Sequence, residues 1–343
     1  MKTVYLLVAI LLMAIINSCT TCYYVRTDVA KNLDVKRSVY ASSADGSSVD
    51  FPFVISGRWS ISKLPEPYEV DFYDTKVKMT HEASSSGRVG DVSLAGKNDL
   101  NPLLKPSENL GKRFRWFYTY YDYSAEFEGL KDMLPLPFEG YLTDEQLELF
   151  FRGTDPPEGW NGVEMYCLLD DINQNFAKWH SDATYYVMCG IFKPYCTKQQ
   201  IVALYTLKYR FMEGMERENM FAMKPDEFED RLAAVLPESG FGNIYEDNSE
   251  AIDQAYEKET EIIGCFETAF MYTVNLPGKY MAGNAVDSLG SSPTWKVDAY
   301  RLMAGDLKLI ATSRQVNLWA FLVTFAAIAL LLQVFAKVFA KES

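Results

Sequence analysis

Side chains able to do chemistry are few in this chain and far apart in sequence. Among 343 residues there are two histidines, His81 and His180, and six cysteines. Neither histidine has a second histidine or a cysteine pair at metal-ligand spacing, so no metal site is expected. Asp171, Asn173, Asn175 and Asp182 imitate four positions of a calcium loop, but Phe176 stands where that loop needs glycine. Neither a G-x-x-x-x-G-K-S/T nor a G-x-G-x-x-G loop is present, which leaves nucleotide cofactors without a cradle and no cofactor expected. A G-x-S-x-G elbow for a serine nucleophile is also missing. Glu257, Glu259 and Glu261 read as the solvated end of a helix. An enzyme would have to assemble its site from scattered residues. The form considered is a hydrolase-like envelope enzyme with carboxylates converging on His180.

The cysteines suggest covalent chemistry of another kind. Lys2 and the apolar run Val4 to Ile16 have the form of an export signal, too short to be a comfortable membrane span. The sequence Ile16-Asn17-Ser18-Cys19 that closes it resembles the bacterial lipobox, which makes Cys19 a lipidation site; an ordinary signal cleaved nearby is the competing reading. Cys189 and Cys196 bracket a short Gly- and Pro-containing loop, CGIFKPYC. They are candidates for a disulfide in an oxidising compartment, with two buried free thiols as the alternative.

Aromatic side chains supply the remaining candidate site. From Arg113 to Glu126 the sequence RFRWFYTYYDYSAE alternates as a strand. Phe114, Trp116, Tyr118 and Tyr120 share one face, and Arg115, Phe117, Thr119 and Tyr121 share the other. Rings on both faces predict a central strand covered on both sides, with Trp116 and Phe270 in a common core. The functional reading has Trp116, Tyr118 and Tyr120 lining a groove for an amphiphile near a membrane, where tyrosine offers an apolar body and a polar tip.

These candidates are positioned around one dominant element. Leu318 to Ala336 is 19 residues without a formal charge, preceded by Arg314 and followed by Lys337 and Lys341. At about 1.5 Å per residue it covers most of a hydrocarbon core of about 30 Å, and a helix satisfies its backbone there. Period-two patterning places strands over Tyr23 to Val29, Leu33 to Ala41, Phe53 to Ser62 and Thr75 to His81, with loops over Ser84 to Gly90 and Lys97 to Gly111. From about Leu142 the period becomes 3.6: Thr143 with Gln146 and Thr197 with Gln200 form capping boxes, Pro225 opens another helix, and Ser249 caps a fifth. Strand character returns from Ile262 and recurs over Thr294 to Tyr300 and Asp306 to Ser313. The fold class is therefore α+β: an antiparallel sheet built from N- and C-terminal strands, a helical insertion, and one C-terminal transmembrane helix. Residues 1–18 form the signal peptide, 19–142 and 261–315 the two β-rich parts of an ectodomain, and 143–260 the insertion. The span is 316–337 and the tail 338–343.

The formal net charge of −13 argues against nucleic acid as a partner and against lying on anionic lipid by charge alone. Lys337 and Lys341 favour a cytoplasmic tail by the positive-inside rule, which puts the ectodomain in the periplasm and the span in a bacterial inner membrane. Leu276-Pro277-Gly278-Lys279, Asn284-Ala285, Trp295-Lys296-Val297, Ala304-Gly305-Asp306 and Ala311, running straight into a span, resemble the end of the LppM-like exported lipoproteins; Cys19 with Tyr23 to Ala41 fits their beginning. The chain is also similar to uncharacterised lipoproteins of Bacteroides-like bacteria. The match covers about a third of the chain, and the section from Thr143 to Thr260 departs from the compact pattern. The resemblance implies an envelope-anchored β-rich domain handling lipid or glycolipid, with the membrane as its partner, and it supplies no catalytic residues. The expected function is non-catalytic binding of a lipid-like ligand or another envelope component.

Overall fold

The computed structural model describes residues 21–342 apart from 44–48, 50, 73–75, 95–101, 105, 152–158, 216–219, 221–222, 286 and 290–291. The signal segment 1–18 and Cys19 lie outside the described residues.

Eleven described strands form two sheets. The larger runs β3 (Ser60–Asp71), β4 (Lys76–Gly87), β2 (Val35–Ala41), β1 (Thr21–Val29), β7 (Thr268–Asn275), β10 (Ser292–Asp298) and β9 (Asp287–Leu289). The smaller runs β5 (Ser107–Phe114), β6 (Tyr118–Phe127), β11 (Leu307–Val316) and β8 (Lys279–Gly283). N- and C-terminal strands pair in both, so the α+β class and the helical middle are as the sequence suggests. Two details differ. The β1–β7 pair is parallel, Tyr23 opposite Phe270 and Val25 opposite Tyr272, which makes the large sheet mixed. Residues 30–267 separate these two strands, so the connection has ample length for the crossover that parallel pairing needs. The strands also divide into two sheets facing one core rather than forming one.

Alternation explains the core. Along β6, Thr119, Tyr121, Tyr123, Ala125 and Phe127 are buried while the residues between them are half-buried. Tyr123, Ala125 and Phe127 join Leu309 and Ala311 of β11 against Tyr23, Val25, Phe270 and Tyr272 of the large sheet. Phe127 meets Tyr272 edge to face with ring centres 5.4 Å apart. A bidentate ion pair fixes the two sheets against each other. Arg37 on β2 donates to Glu108 on β5 at 2.6 and 2.8 Å, with side-chain exposures of 0% and 4%. Val92 O and Thr27 Oγ1 accept two further guanidinium protons, and Tyr123 donates to Glu108 at 2.6 Å. Burial alone would lower the Arg37 pKa, but the Glu108 carboxylate outweighs it and holds the group above its ordinary range.

In the helical section α1 (Asp144–Phe151) begins at the Thr143–Gln146 capping box. The long helix α2 (Gly162–Phe192) is 31 residues and is capped by Asn161 with Glu164. Its Ile172, Trp179 and Ala183 pack on the sandwich core, and its Tyr185 to Phe192 enter a second core. That second core is closed by α3 (Lys198–Thr206), α4 (Lys208–Met212), α5 (Pro225–Val235) and α6 (Ile244–Glu259). The third predicted helix thus breaks at Leu207, and α6 kinks at Asn248, next to the Ser249 cap position. Glu229 is buried, with its carboxylate accepting from the backbone N–H groups of Gly242, Ile244 and Tyr245 at 2.7–3.0 Å. After α7 (Glu261–Gly264) the chain re-enters the sandwich, adds the short α8 (Ala299–Met303), and leaves along β11 into α9 (Leu318–Glu342). Within α9, Leu318–Lys337 is long and apolar enough to cross a membrane.

Candidate functional site

One residue, Asn317, lies between the last sheet strand and the apolar helix. Its backbone N–H donates to Phe117 O at 2.9 Å and its carbonyl accepts from Ala320 N at 2.9 Å. Its amide donates to Arg115 O and Trp116 O at 3.0 and 3.3 Å and accepts from Thr119 Oγ1 at 3.0 Å. A single residue thus serves both sides of the strand-to-helix corner: its side chain and backbone N–H bond the carbonyls of the β5–β6 turn, and its own carbonyl accepts from the first turn of α9.

The turn then grips the helix. Trp116 Nε1 donates to Thr324 Oγ1 at 2.8 Å, and the Trp116 ring meets Trp319 edge-on at 5.2 Å. Phe114 stacks on Trp319 at 6.2 Å, and Phe117 contacts Phe321 at 4.6 Å. The Arg314 guanidinium lies 4.5 Å from the Tyr118 ring. Tryptophan and tyrosine at the mouth of a span match the aromatic belt of membrane–water interfaces.

Beside this clamp, on the inner side of the small sheet, is a groove of about 490 Å³ lined by Lys31, Lys112, Thr119, Tyr121, Trp319 and their neighbours. Lys112 Nζ donates to Lys31 O at 2.8 Å and sits 5.6 Å from the Tyr121 ring, whose hydroxyl pKa is raised by burial. Both lysines are exposed, and the lining contains no carboxylate.

The sequence candidates fall unevenly around this geometry. The expected single strand from Arg113 is a hairpin: β5 ends at Phe114, residues 115–117 turn, and β6 begins at Tyr118. Trp116 is therefore 46% exposed at the turn and outside the core, whereas Phe270 is fully buried. The alternation was real, but a tight turn between aromatic residues carries no glycine or proline to mark it. Tyr118 and Tyr120 lie half-buried on the outer face of β6, the face opposite the groove. There Arg113 bonds Asp122 at 2.6 and 2.9 Å and covers Tyr120 at 5.6 Å. Of the proposed lining trio only Trp116 meets α9 through a hydrogen bond, and Tyr118 reaches Phe321 edge-on at 6.4 Å. Sequence reading missed Asn317, Phe114, Trp319, Lys31 and Lys112. The available signal was a lone polar residue between a strand and a span, followed at once by tryptophan.

Cys189 and Cys196 are free thiols, and burial pushes them up to about 12 and about 11. The stretch between them is not a loop. Helix α2 continues through Gly190 to Phe192 because Val187, Met188, Ile191 and Phe192 keep an apolar stripe facing the second core, and Pro194 then opens a single 3-10 turn. His180 on the same helix is ringed by Phe176, Trp179 and Phe266 with centroids 6.1–6.5 Å away. Burial lowers its pKa to about 4, so the imidazole is neutral at pH 7. Among the described residues, aromatic rings form that surrounding. Asp171, Asn173, Asn175 and Asp182 all lie along α2 and cannot wrap a cation as a loop would; Asp182 instead pairs with Lys208 at 2.8 Å and accepts from Tyr141 at 2.7 Å. Among the described residues no cluster of three or more His, Cys, Asp or Glu is placed to hold a metal ion.

No protein-family model matches the chain, and no curated protein or solved structure is detectably similar to it.

Proposed function

We propose that this chain is a membrane-anchored, non-catalytic binding protein of a bacterial envelope whose sandwich holds a phosphate-bearing lipid headgroup at the bilayer boundary. The observation that carries the reading is charge. On a chain of formal net charge −13, the groove at the mouth of α9 is lined by two lysines and no carboxylate. Lysine binds phosphate as a point charge, and a flanking tryptophan suits the start of an acyl chain. The anchor is α9. An inner-membrane location, with the sandwich in the periplasm and the tail in the cytoplasm, belongs to the same proposal and follows from Lys337 and Lys341. Protease should then spare a tag after Ser343 in spheroplasts while digesting the sandwich; a digested tag beside an intact sandwich reverses the orientation.

Acylation of Cys19, if it occurs, carries a geometric demand. Thr21 and Lys31 stand at opposite ends of β1 and its turn, and Lys31 is the end beside Trp319. The nine residues of β1 extend about 27 Å, and the two residues from Cys19 to Thr21 reach at most about 7 Å. Thr21, which only two residues would join to an acylated Cys19, stands at the end of β1 away from α9. Fatty-acid labelling of the wild type against Cys19→Ser tests the acylation, and an unlabelled wild type removes that anchor.

The headgroup reading is tested by native mass spectrometry of the full chain extracted from membranes in mild detergent. The wild type should carry phospholipid, and Lys31→Glu/Lys112→Glu should lose about tenfold or more in occupancy without a change in melting temperature. Equal phospholipid occupancy in both proteins overturns the reading.

A further inference from the structure

A second groove lies on the opposite face of the large sheet, away from the sandwich core. Its floor is built by register. Tyr24 of β1 lies opposite Tyr40 of β2, and Arg26 and Asp28 of β1 lie opposite Thr273 and Asn275 of β7. Its wall is an interruption of β3. The pairing of β3 with β4 jumps from Lys63–His81 to Tyr68–Met79, so Leu64-Pro65-Glu66-Pro67 bulges out opposite Thr80 alone. Proline is tolerated there because β3 is an edge strand, and two prolines stiffen the bulge. The result is a cleft of about 440 Å³ lined by Arg26, Tyr40, Leu64, Pro65, Glu66 and Tyr68. A smaller cavity of about 280 Å³ shares Arg26 and Tyr68 and continues past Thr273, Asn275 and Ser292.

Three tyrosine rings define the cleft. Tyr24 and Tyr40 stack at 5.5 Å and 23°, and Tyr68 leans over both at 6.0 and 5.8 Å. Tyr24 is buried and backs the other two, whereas Tyr68 is 43% exposed. Apolar ring faces therefore lie beside a row of hydroxyl, amide and carboxylate groups. Along that row Arg26 Nη2 donates to Asp28 Oδ1 at 3.1 Å, Asn275 donates to the same oxygen at 2.5 Å, and Ser292 donates to Asn275 Oδ1.

Charge separates this cleft from the one at the membrane. The lining holds one cation, Arg26, already paired with Asp28, and Glu66 on the wall adds a negative charge. A phosphate or carboxylate ligand meets no free cation among these residues. A purely apolar ligand would displace water from the part-exposed Arg26 and Asp28 without replacing its hydrogen bonds. What fits both the ring faces and the paired polar row is a ligand whose C–H faces are apolar and whose edge is all hydroxyl. We infer that this cleft is a binding site for a neutral saccharide, its pyranose face on Tyr68 and Tyr40 and its hydroxyls on Arg26, Asp28 and Asn275.

The inference is independent of the lipid reading, since the two clefts share no residue. The test uses the full chain in detergent micelles on an array of neutral hexose and N-acetylhexosamine oligosaccharides, with oligouronates as the anionic comparator. The wild type should bind neutral glycans. Tyr68→Ala should weaken that binding by about tenfold or more, with Tyr68→Phe close to wild type, because the ring face rather than the hydroxyl makes the contact. An unchanged melting temperature for Tyr68→Ala, whose ring is exposed, separates lost binding from lost fold. Lys31→Glu/Lys112→Glu should bind the glycans as the wild type does. No neutral-glycan binding, preference for oligouronates, or binding indifferent to Tyr68→Ala each overturns the assignment.

Discussion

The rings between the two sheets and the rings at the mouth of α9 are of the same residue types in opposite settings. Tyr23, Phe127, Phe270 and Tyr272 are buried and contact one another across a core that also encloses the Arg37–Glu108 pair. Phe114, Trp116 and Trp319 are 46–55% exposed and contact each other around a hydrogen-bonded corner. Counting rings along a strand does not distinguish the two. What distinguishes them is the set of polar groups around each cluster. In the inner one Arg37 bonds Glu108, Val92 O and Thr27 Oγ1, and the buried Tyr272 hydroxyl has no hydrogen-bond partner among the described residues. The outer one leaves two lysines facing an open groove beside an apolar helix. Aromatic surface of that second kind remains exposed in the protein alone, and under the proposed anchoring by α9 it would meet the bilayer interface.

The sharpest way to break this contrast is to open the inner cluster at its charge. Glu108→Ala leaves the Arg37 guanidinium charged and unpaired between the sheets, and should cost about 3–5 kcal/mol of stability in chemical unfolding. Replacing both partners, as Arg37→Met/Glu108→Leu, should recover most of that loss, because no buried charge remains. A double variant as unstable as the single one would mean that the pair does more than satisfy itself.

Next in size is the direct comparison of one ring from each setting. Phe270→Ala should cost about 3–5 kcal/mol, the loss for a fully buried phenylalanine with its cavity. Trp116→Ala removes one exposed hydrogen bond and should cost only about 0.5–1.5 kcal/mol in the same detergent. Comparable losses for the two would place Trp116 in the structural core after all and weaken the case for a boundary role.

A third test asks how dry the interior is. His180 sits among Phe176, Trp179 and Phe266, and burial lowers its pKa from 6.5 to about 4. The unfolded chain takes up a proton near pH 6.5 while the native chain resists until about pH 4. Stability is therefore lost as pH falls through that window, by about 3 kcal/mol from this group. His180→Phe should flatten this part of the stability–pH curve. Identical slopes for wild type and variant between pH 7 and 4.5 would show that the site is wetter than its ring contacts imply.

The local elements were largely readable because their causes are local. The capping boxes at Thr143 and Thr197, Pro225 at a helix start, and the alternation over β1, β2 and β6 all depend on neighbours within a few residues. So does the apolar run of α9, whose length alone marks it as a candidate span. Errors came where a boundary had no local mark. The β5–β6 turn is built from Arg115, Trp116 and Phe117; reciprocal backbone bonds between Arg115 and Tyr118 close it, and Asn317, far along the chain, bonds its carbonyls. Helix α2 runs through Gly190 because the second core holds the stripe on both sides of it. Both clefts lay beyond sequence reading for the same reason. Lys31 and Lys112 come together only when the β1–β2 turn meets β5, and Arg26 meets Thr273 and Asn275 only through the parallel pairing of β1 with β7. Period and capping determined which segments are strands and helices. Long-range pairing, which no short window of sequence encodes, decided which side chains share a groove and whether a cation there stands free or already paired.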